Sequence, residues 1–357
     1  MRTIRKIVGG LLPAAAKTAY WDARSALLAH TRLYRTRIES VTIEVSSICN
    51  IHCDVCYIPA ISRRGLMKYA DFQTILRKLP ASVKTIRMNY SGEPLLNREI
   101  FKMVAHAKQV RPDIGILICT NATTLGKFDP DEIIASGLDR LVIAIDGATK
   151  TSHEAYRVGS DFDAICASTR RLTDRKRKQG AAHPEIVMQS LVNAVNVAEL
   201  DDLPELARSL GVDRLALRFM SLPGIIHGLE EFPREIAPTV APATLERQIA
   251  TWIERLPPAY SIYERDRQGR YRIKQEMHRC HSFLSPLIYF SGDVAVCCHD
   301  ALGESTFGNL LAEDFATVIR RLPARRVYHK ALRICAMCVL SRHGVTHREI
   351  VFDGHAG

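Results

Sequence analysis

The chain has 357 residues, 47% of them hydrophobic, which suffices for one large α/β domain with a buried core and a smaller second domain. Its 49 lysines and arginines exceed its 38 aspartates and glutamates, so the formal net charge is +11. No stretch reaches the roughly 18 consecutive apolar residues of a membrane-spanning helix, which excludes such a span. The positive charge suits a nucleotide-linked sugar, a nucleic acid or an acidic membrane surface, or simply a solvated basic surface.

Residues 1–39 precede the first predicted strand. Their basic start and the apolar stretch after it superficially resemble a secretory signal. The apolar residues also recur at helical spacing, which predicts an amphipathic helix that packs on the domain rather than lying on a membrane. Gly9, Gly10 and Pro13 weaken this helix. We therefore interpret residues 1–39 as an N-terminal helical extension and not as a signal peptide.

Between about residues 40 and 220, short β-branched runs alternate with longer helical patterns. The predicted strands are residues 41–46, 85–90, 114–120, 140–146, 185–192 and 214–220. The predicted helices are residues 69–79, 100–110, 131–136, 162–178 and 198–210. This alternation indicates an α/β fold of parallel βα units, and six of them predict an open, partial (β/α)6 barrel over residues 40–230. Ligands bind beyond the carboxyl ends of such strands, so the loops there are expected to hold the chemistry.

Three cysteines, Cys49, Cys53 and Cys56, follow the first predicted strand in the pattern C-x3-C-x2-C. Three thiolates at this spacing can bind three irons of a 4Fe-4S cluster and leave the fourth iron open to a small molecule. A zinc site would more often show paired C-x2-C motifs, and disulfides are a further alternative. The pattern resembles the cluster loop of the radical S-adenosylmethionine (SAM) enzymes. The chain departs from that family at Val55, where an aromatic residue is usual.

Motifs after the next three strands extend this resemblance. Ser-Gly-Glu-Pro at residues 91–94 is similar to the family's Gly-Gly-Glu-Pro motif, which holds the methionine amino group, although alone it would indicate an ordinary turn. Thr-Asn-Ala at 120–122 resembles the family's Thr-Asn-Gly. Ile-Asp-Gly at 145–147 resembles the end of its Ser-x-Asp-Gly, with Ala144 at the serine position. These motifs stand in the family's order along the strands.

Three further polar residues are candidates for SAM contacts. Arg157 lies in a Tyr-Arg-Val-Gly segment resembling the one that presents an arginine to the SAM carboxylate, which a guanidinium can bind through two parallel hydrogen bonds. A surface arginine is the alternative. Gln189 and Asn193 lie on or after an apolar strand, where polar side chains need partners such as ribose or adenine. The resemblance implies Ser91, Gly92, Glu93, Pro94, Asn121, Asp146 and Arg157 as cofactor-binding residues, and position adds Gln189 and Asn193 as weaker candidates.

A second group of cysteines lies beyond residues 231–275, a proline-interrupted stretch that we interpret as a bridge between domains. A glycine hairpin, a Gly-Asn-Leu step and a closing C-x2-C resemble the twitch version of the SPASM domain. This implies a small cysteine-rich domain at residues 276–345, followed by a tail at 346–357. The implied ligands of one auxiliary 4Fe-4S cluster are Cys280, Cys297, Cys335 and Cys338, with Cys298 as the alternative to Cys297. A zinc clip with the same four ligands is the other interpretation.

The resemblance implies an enzyme that reductively cleaves SAM to a 5′-deoxyadenosyl radical. We expect the radical to take hydrogen from a small hydroxylated substrate, such as a sugar, nucleotide-sugar or aminocyclitol, in a redox-changing reaction. Arg218 and His227 are suggested by position alone as the base for the hydroxyl proton. A flavodoxin- or ferredoxin-type protein is the expected electron donor. Oxygen-sensitive clusters and many unpaired thiols lead us to expect a cytoplasmic protein.

Two other functions stay open. One is a peptide- or protein-modifying maturase, although the residues before the first strand are too few for the precursor-binding domain that such relatives often carry. The other is a non-catalytic iron-sulfur or zinc scaffold, which would not cleave SAM. A nucleic acid is not the expected partner. Core packing accounts for Cys119 and Cys166, which lie in a predicted strand and a predicted helix.

Overall fold

The computed structural model describes residues 38–56, 58, 61–220, 247, 250–257, 261, 263–265, 267, 271–273, 285–295, 300, 303, 306–321 and 347–351. Several predictions concern residues outside these ranges: the N-terminal helix, His227, Cys280, Cys297, Cys298, Cys335 and Cys338. The strands are β1 Ser40–Ile43, β2 His52–Cys53, β3 Thr85–Arg87, β4 Gly115–Thr120, β5 Arg140–Ala144, β6 Arg157–Val158, β7 Glu185–Val192, β8 Arg214–Phe219, β9 Tyr263–Arg265, β10 Tyr271–Ile273, β11 Leu287–Ile288, β12 Asp293–Ala295, β13 Thr306–Asn309 and β14 His347–Val351. The α-helices are α1 Tyr69–Lys78, α2 Ile100–Val110, α3 Pro130–Ala135, α4 Lys150–Tyr156, α5 Phe162–Lys178, α6 Leu203–Ser209 and α7 Phe315–Arg320.

Six parallel strands form the centre of one ten-stranded sheet. Strands β1, β3, β4, β5, β7 and β8 lie side by side in this order, each parallel to the next. They are the six predicted strands, so the predicted α/β fold and strand succession are confirmed. Strands β13 and β14 form the two edges of the sheet, so within the described residues it is open and not a closed barrel.

The two faces of the sheet differ in what covers them. On one face, alternate strand residues such as Ile86, Ile118 and Ile143 join a large core with helix residues such as Phe72 and Phe101. On the other face, Val142, Val187 and Ala216 form a separate small cluster with Leu117 and Cys119. Period-two alternation along each strand produces this division. The second face is therefore the side on which a ligand can approach the strands.

Four of the five predicted helices match α1, α2, α3 and α5 closely. The predicted helix at residues 198–210 is shorter, because a 3-10 turn at Val197–Glu199 comes first and α6 begins only at Leu203, with proline at its first turn. Helix α4 was not predicted, since its sequence is polar and shows no apolar periodicity. Thr149 and Ser152 start it by exchanging hydrogen bonds in a capping box.

The C-terminal part of the chain extends the main sheet on both sides. The predicted glycine hairpin is confirmed: β11 and β12 are antiparallel and turn at Gly292, whose φ is +87°. Asn309 of the Gly-Asn-Leu step donates to the Ser291 carbonyl at 3.0 Å and to the Asp293 carboxylate at 2.9 Å, bracing that turn. Strand β11 is parallel to β1, so the hairpin continues the sheet of the first domain.

Strand β14 lies within residues 346–357, the predicted tail, and is antiparallel to β8. Strands β9 and β10 pair with each other within the predicted bridge. Within the described part of the chain, no helix combines the length and the apolar character that a membrane crossing needs. Of the described C-terminal strands, β11, β12 and β13 extend the main sheet beyond β1, and β14 extends it beyond β8.

Candidate functional site

The loop after β1 carries Cys49, Cys53 and Cys56, three free and partly exposed thiols. Cys53 lies in β2, and its backbone pairs with that of Arg157 in β6. The loop then turns back, because the Cys56 N–H donates to the Cys53 carbonyl at 2.9 Å. A short two-stranded sheet thus holds the second and third cysteines beside a guanidinium.

Burial raises the pKa of all three thiols, and it raises that of Cys53 to about 12. The positive charge of Arg157 opposes this rise at Cys53 and Cys56. Charge repulsion from Cys56 and Cys49 also raises the pKa of Cys53. Without a metal these thiols keep their protons near neutral pH, so iron binding must release them.

The donor set fits an iron-sulfur cluster with an open iron. Thiolates are the ligands such clusters use, and this one loop supplies three of them. No three His, Cys, Asp or Glu side chains of the described residues already surround one point as metal ligands. Cluster binding therefore requires the cysteine side chains to turn toward one another.

Glu93, in the loop after β3, connects that loop to the end of β4. One carboxylate oxygen accepts from the Leu95 N–H at 2.8 Å and the Thr120 hydroxyl at 2.5 Å, and the other accepts from the Asn121 N–H at 2.7 Å. The side chain is fully buried, and burial raises its pKa while these three donors lower it. Pro94 follows as the first residue of a short 3-10 helix. The predicted methionine-binding glutamate thus also fixes the two loops against each other.

Gly92 lies directly against the backbone of the cysteine loop. A Cβ at this position would be 2.4 Å from the Ile48 carbonyl oxygen and 2.6 Å from that of Ser46. The Gly92 N–H donates to the same Ser46 carbonyl at 3.2 Å. The two loops can therefore approach this closely only with glycine at position 92.

We expect Gly92→Ala to separate these two loops, since a backbone carbonyl cannot move aside as a side chain can. The expected cost is about 1–3 kcal/mol of folding free energy, together with weaker SAM binding. Gly115→Ala is the matched control, because its nearest neighbour would lie at an ordinary 3.5 Å. Urea denaturation and SAM titration of both variants check this, and equal losses in the two would contradict the close approach.

Asn121 brings the end of β4 to the first cysteine. Its side-chain nitrogen donates to the Cys49 sulfur at 3.6 Å and to the Asn50 side chain at 3.3 Å, and its side-chain oxygen accepts from the Thr123 N–H at 3.0 Å. The next residue, Ala122, has φ +59°, the left-handed conformation that explains why the family motif has glycine there. The Thr-Asn-Ala segment therefore borders the cysteine loop.

Asp146 and Arg157 form a buried ion pair above the second face. The Arg157 Nε lies 2.6 Å from one Asp146 oxygen, and the other oxygen accepts from the Leu191 N–H at 2.6 Å. Although burial lowers the pKa of Arg157, the charges of Asp146 and Cys53 raise it above its ordinary value. His153, buried with its pKa lowered to about 3 by burial, accepts from the Asp146 N–H at 3.1 Å. An aspartate thus fixes the position of Arg157, the arginine predicted to bind the SAM carboxylate.

The remaining predicted site residues divide into two groups. Gln189 on β7 accepts from the Arg218 Nε on β8 at 3.2 Å, so the structure brings these two together on the second face. Asn193 is fully buried, and its side chain bonds the Leu191 carbonyl and the Val195 N–H in its own turn. Asn193 therefore shapes the loop after β7, and its amide is already bonded there.

Sequence reasoning missed a buried carboxylate just before the cysteine loop. Glu44 pairs with Arg63 at 2.6 Å and accepts a hydrogen bond from the Ser91 hydroxyl. The Arg63 guanidinium lies 3.8 Å over the ring of Tyr289, next to β11. Burial raises the pKa of Glu44, and Arg63 opposes that rise. A lone acidic residue in an apolar strand was the available signal, because such a group needs a partner.

Fold and site together define a class: an α/β protein in which a three-cysteine loop and polar loops from neighbouring parallel strands meet at the carboxyl ends of those strands. The Radical SAM superfamily model matches residues 43–203. The matched part of the chain, which holds the cysteine loop and the loops around it, is similar to the Radical SAM superfamily. The family is one of enzymes that catalyse radical-based transformations.

Known relatives are distant. The GTP 3′,8-cyclase of Clostridium botulinum is 23% identical over 197 residues, 54% of this chain and 59% of the relative. The AdoMet-dependent heme synthase of Methanosarcina barkeri is 24% identical over 234 residues, 65% of this chain and 59% of the relative. The match thus spans about three fifths of each curated relative. Among solved structures, SuiB of Streptococcus suis bound to S-adenosylmethionine has a TM-score of 0.56 at 13% identity, covering 94% of this chain and 81% of SuiB, a likeness of fold alone.

Proposed function

We propose that this protein reductively cleaves SAM and uses the resulting radical on a small hydroxylated substrate, such as a sugar, nucleotide-sugar or aminocyclitol. One continuous set of contacts carries the proposal. Asn121 touches Cys49, Glu93 holds the Asn121 backbone, and Arg157 lies beside Cys53. Glu93 and Asn121 follow parallel strands, and Arg157 lies in β6 against the cysteine loop, so SAM would bind here against a cluster with an open iron.

Each residue of the set has a role in this proposal. Cys49, Cys53 and Cys56 bind three irons of a 4Fe-4S cluster, which when bound transfers one electron to SAM and so divides it into methionine and a 5′-deoxyadenosyl radical. Glu93 and the backbone of Gly92 bind the methionine amino group, and Arg157 binds its carboxylate. The radical takes a hydrogen atom from a carbon that bears a hydroxyl. Loss of one proton and one further electron then leaves a carbonyl.

Two arginines on the second face support a substrate with an anionic group. Arg87 is exposed and pairs in register with Leu117, a residue of the second-face cluster. Its side chain makes no hydrogen bond or ion pair with a described side chain. Arg218 bonds only the neutral Gln189 among the described side chains. Guanidinium groups without an acidic partner in the described part of the chain suit a phosphate, as in a nucleotide-linked sugar.

The proton and the second electron need acceptors. In the proposal His227 accepts the proton that the hydroxyl loses, Arg218, which is already protonated, binds the anionic group of the substrate, and the auxiliary cluster held by the C-terminal cysteines takes the electron. A flavodoxin- or ferredoxin-type protein supplies the first electron. The proposed auxiliary ligands are Cys280, Cys335, Cys338 and either Cys297 or Cys298.

Anaerobic reconstitution with iron and sulfide, followed by reduction and mass spectrometry, tests the proposal. We expect 5′-deoxyadenosine and methionine in equal amounts, and more of both when nucleoside diphosphate sugars are added than when the corresponding free sugars are added. An intact cluster spectrum without 5′-deoxyadenosine would instead indicate a non-catalytic scaffold. If only peptides increased 5′-deoxyadenosine formation, the proposed substrate class would be wrong and a peptide-modifying maturase would be indicated.

A further inference from the structure

Asp54 lies between Cys53 and Cys56, and two residues almost 200 positions later hold its side chain. The two terminal nitrogens of Arg247 each lie 2.7 Å from a different Asp54 oxygen. The Trp252 Nε1 donates to the Asp54 carboxylate at 2.8 Å. These hydrogen bonds and the charge of Arg247 outweigh partial burial and lower the pKa of Asp54. One carboxylate of the cysteine loop is therefore fixed by a bidentate ion pair and an indole at once.

Trp252 also packs on the last residue of α4, directly before the strand that pairs with the cysteine loop. Its ring lies 4.9 Å from that of Tyr156 in a T-shaped contact, and only 4% of the residue is exposed. Tyr156 directly precedes Arg157, the backbone partner of Cys53. The Trp252 carbonyl accepts from the Ala194 N–H at 3.0 Å, which ties the tryptophan to the loop after β7. Trp252 thus contacts the residue that directly follows β2 and the residue that directly precedes β6.

We propose that Arg247 and Trp252 are positioning residues for the iron-sulfur cluster, holding the turn from Cys53 to Cys56 in the conformation that presents its thiols. The inference rests on the proposed function, because it concerns the same cluster. It extends that function by making two residues of the bridge, Arg247 and Trp252, components of the cluster site. Asp54 is the point of attachment, since it is the residue of this turn that both groups hold.

The physical reason is that the cysteine thiolates must be positioned precisely in order to bind the cluster. Groups that orient metal ligands without touching the metal commonly change metal affinity by roughly 10–100-fold when removed. A planar guanidinium bonded to both oxygens fixes direction as well as distance, which a lysine cannot do. The indole N–H adds a third direction. Together they restrict rotation of the Asp54 side chain and so of the backbone that joins Cys53 to Cys56.

Two conservative variants of the full-length chain test this inference. Arg247→Lys keeps the charge but loses the bidentate geometry, and Trp252→Phe keeps a ring on Tyr156 but loses the N–H. Each variant is reconstituted anaerobically and exposed to an iron chelator and an alkylating agent, without SAM or substrate. Peptide mass spectrometry then gives the rate at which Cys49, Cys53 and Cys56 become alkylated. We expect roughly tenfold faster alkylation of these three cysteines in both variants.

Arg175→Lys is the matched control, because Arg175 makes an exposed bidentate pair with Asp131 away from the cysteine loop. We expect it to behave as the wild type does. Alkylation rates in Arg247→Lys and Trp252→Phe that equal those of the control would overturn the inference, provided circular dichroism shows all three folded. A wild type that takes up no cluster would overturn both proposals. A wild type that binds the cluster but does not cleave SAM would remove the proposed function and leave the positioning role standing.

Discussion

Cys53→Ala is expected to abolish SAM cleavage, with at least roughly a 100-fold loss of 5′-deoxyadenosine formation. Cys53 is the central thiol of the proposed cluster, and its backbone is paired with that of Arg157. Without its thiolate, only two cysteines of the loop remain, and a cubane cluster bound by two thiolates is not held at this site. The measurement is product formation by the anaerobically reconstituted variant, together with its iron content and its visible spectrum.

Cys166→Ala provides the control for that loss. Cys166 is a free thiol in α5 that is 4% exposed and belongs to the large core. Its removal leaves a small cavity and a modest loss of stability, about 1 kcal/mol, with SAM cleavage unchanged. If Cys53→Ala formed as much 5′-deoxyadenosine as Cys166→Ala and the wild type do, the cysteine loop would not be the cluster site.

The strands were predictable because their apolar runs are short, β-branched and regularly spaced. The predicted bounds 185–192 are those of β7 in the structure. The first strand was predicted to end at residue 46 but ends at Ile43, because the backbone leaves the sheet there to begin the cysteine loop. The loops at the strand ends were also predictable, since ligand-binding motifs recur there. Local pattern thus identified the positions of Cys49, Glu93, Asn121 and Asp146.

Contacts between distant parts of the chain were not predictable from local pattern. Asp54 and Arg247 are 193 residues apart, and no periodicity or motif relates them. The pairing of β11 with β1 likewise depends on which sheet edge is free once the chain has folded. Asn193 shows a different limit of sequence reasoning. Its place after an apolar strand correctly indicated a polar group in need of partners, but its own turn supplies them.

The Asp146–Arg157 pair shows how one contact serves both stability and the proposed chemistry. The aspartate neutralises the arginine while the site is empty, and a SAM carboxylate would have to share or displace it. Both side chains are largely enclosed, with 1% of Asp146 and 14% of Arg157 exposed. A guanidinium enclosed in this way is costly without an anion beside it. Removal of either partner should therefore affect folding as well as SAM binding, and the two effects can be separated.

We expect Asp146→Ala to lower the free energy of unfolding by about 3–5 kcal/mol, because it leaves Arg157 buried without its counterion. Adding Arg157→Met should restore part of that stability, since the apolar side chain needs no partner, but SAM binding should stay lost because the proposed carboxylate ligand is gone. Urea denaturation and SAM titration of the single and double variants measure the two effects separately. Asp131→Ala, which breaks an exposed ion pair, should leave both quantities unchanged. If Asp146→Ala were as mild as that control, the pair would not be the buried bridge described above, and a double variant that bound SAM normally would remove Arg157 from the proposed site.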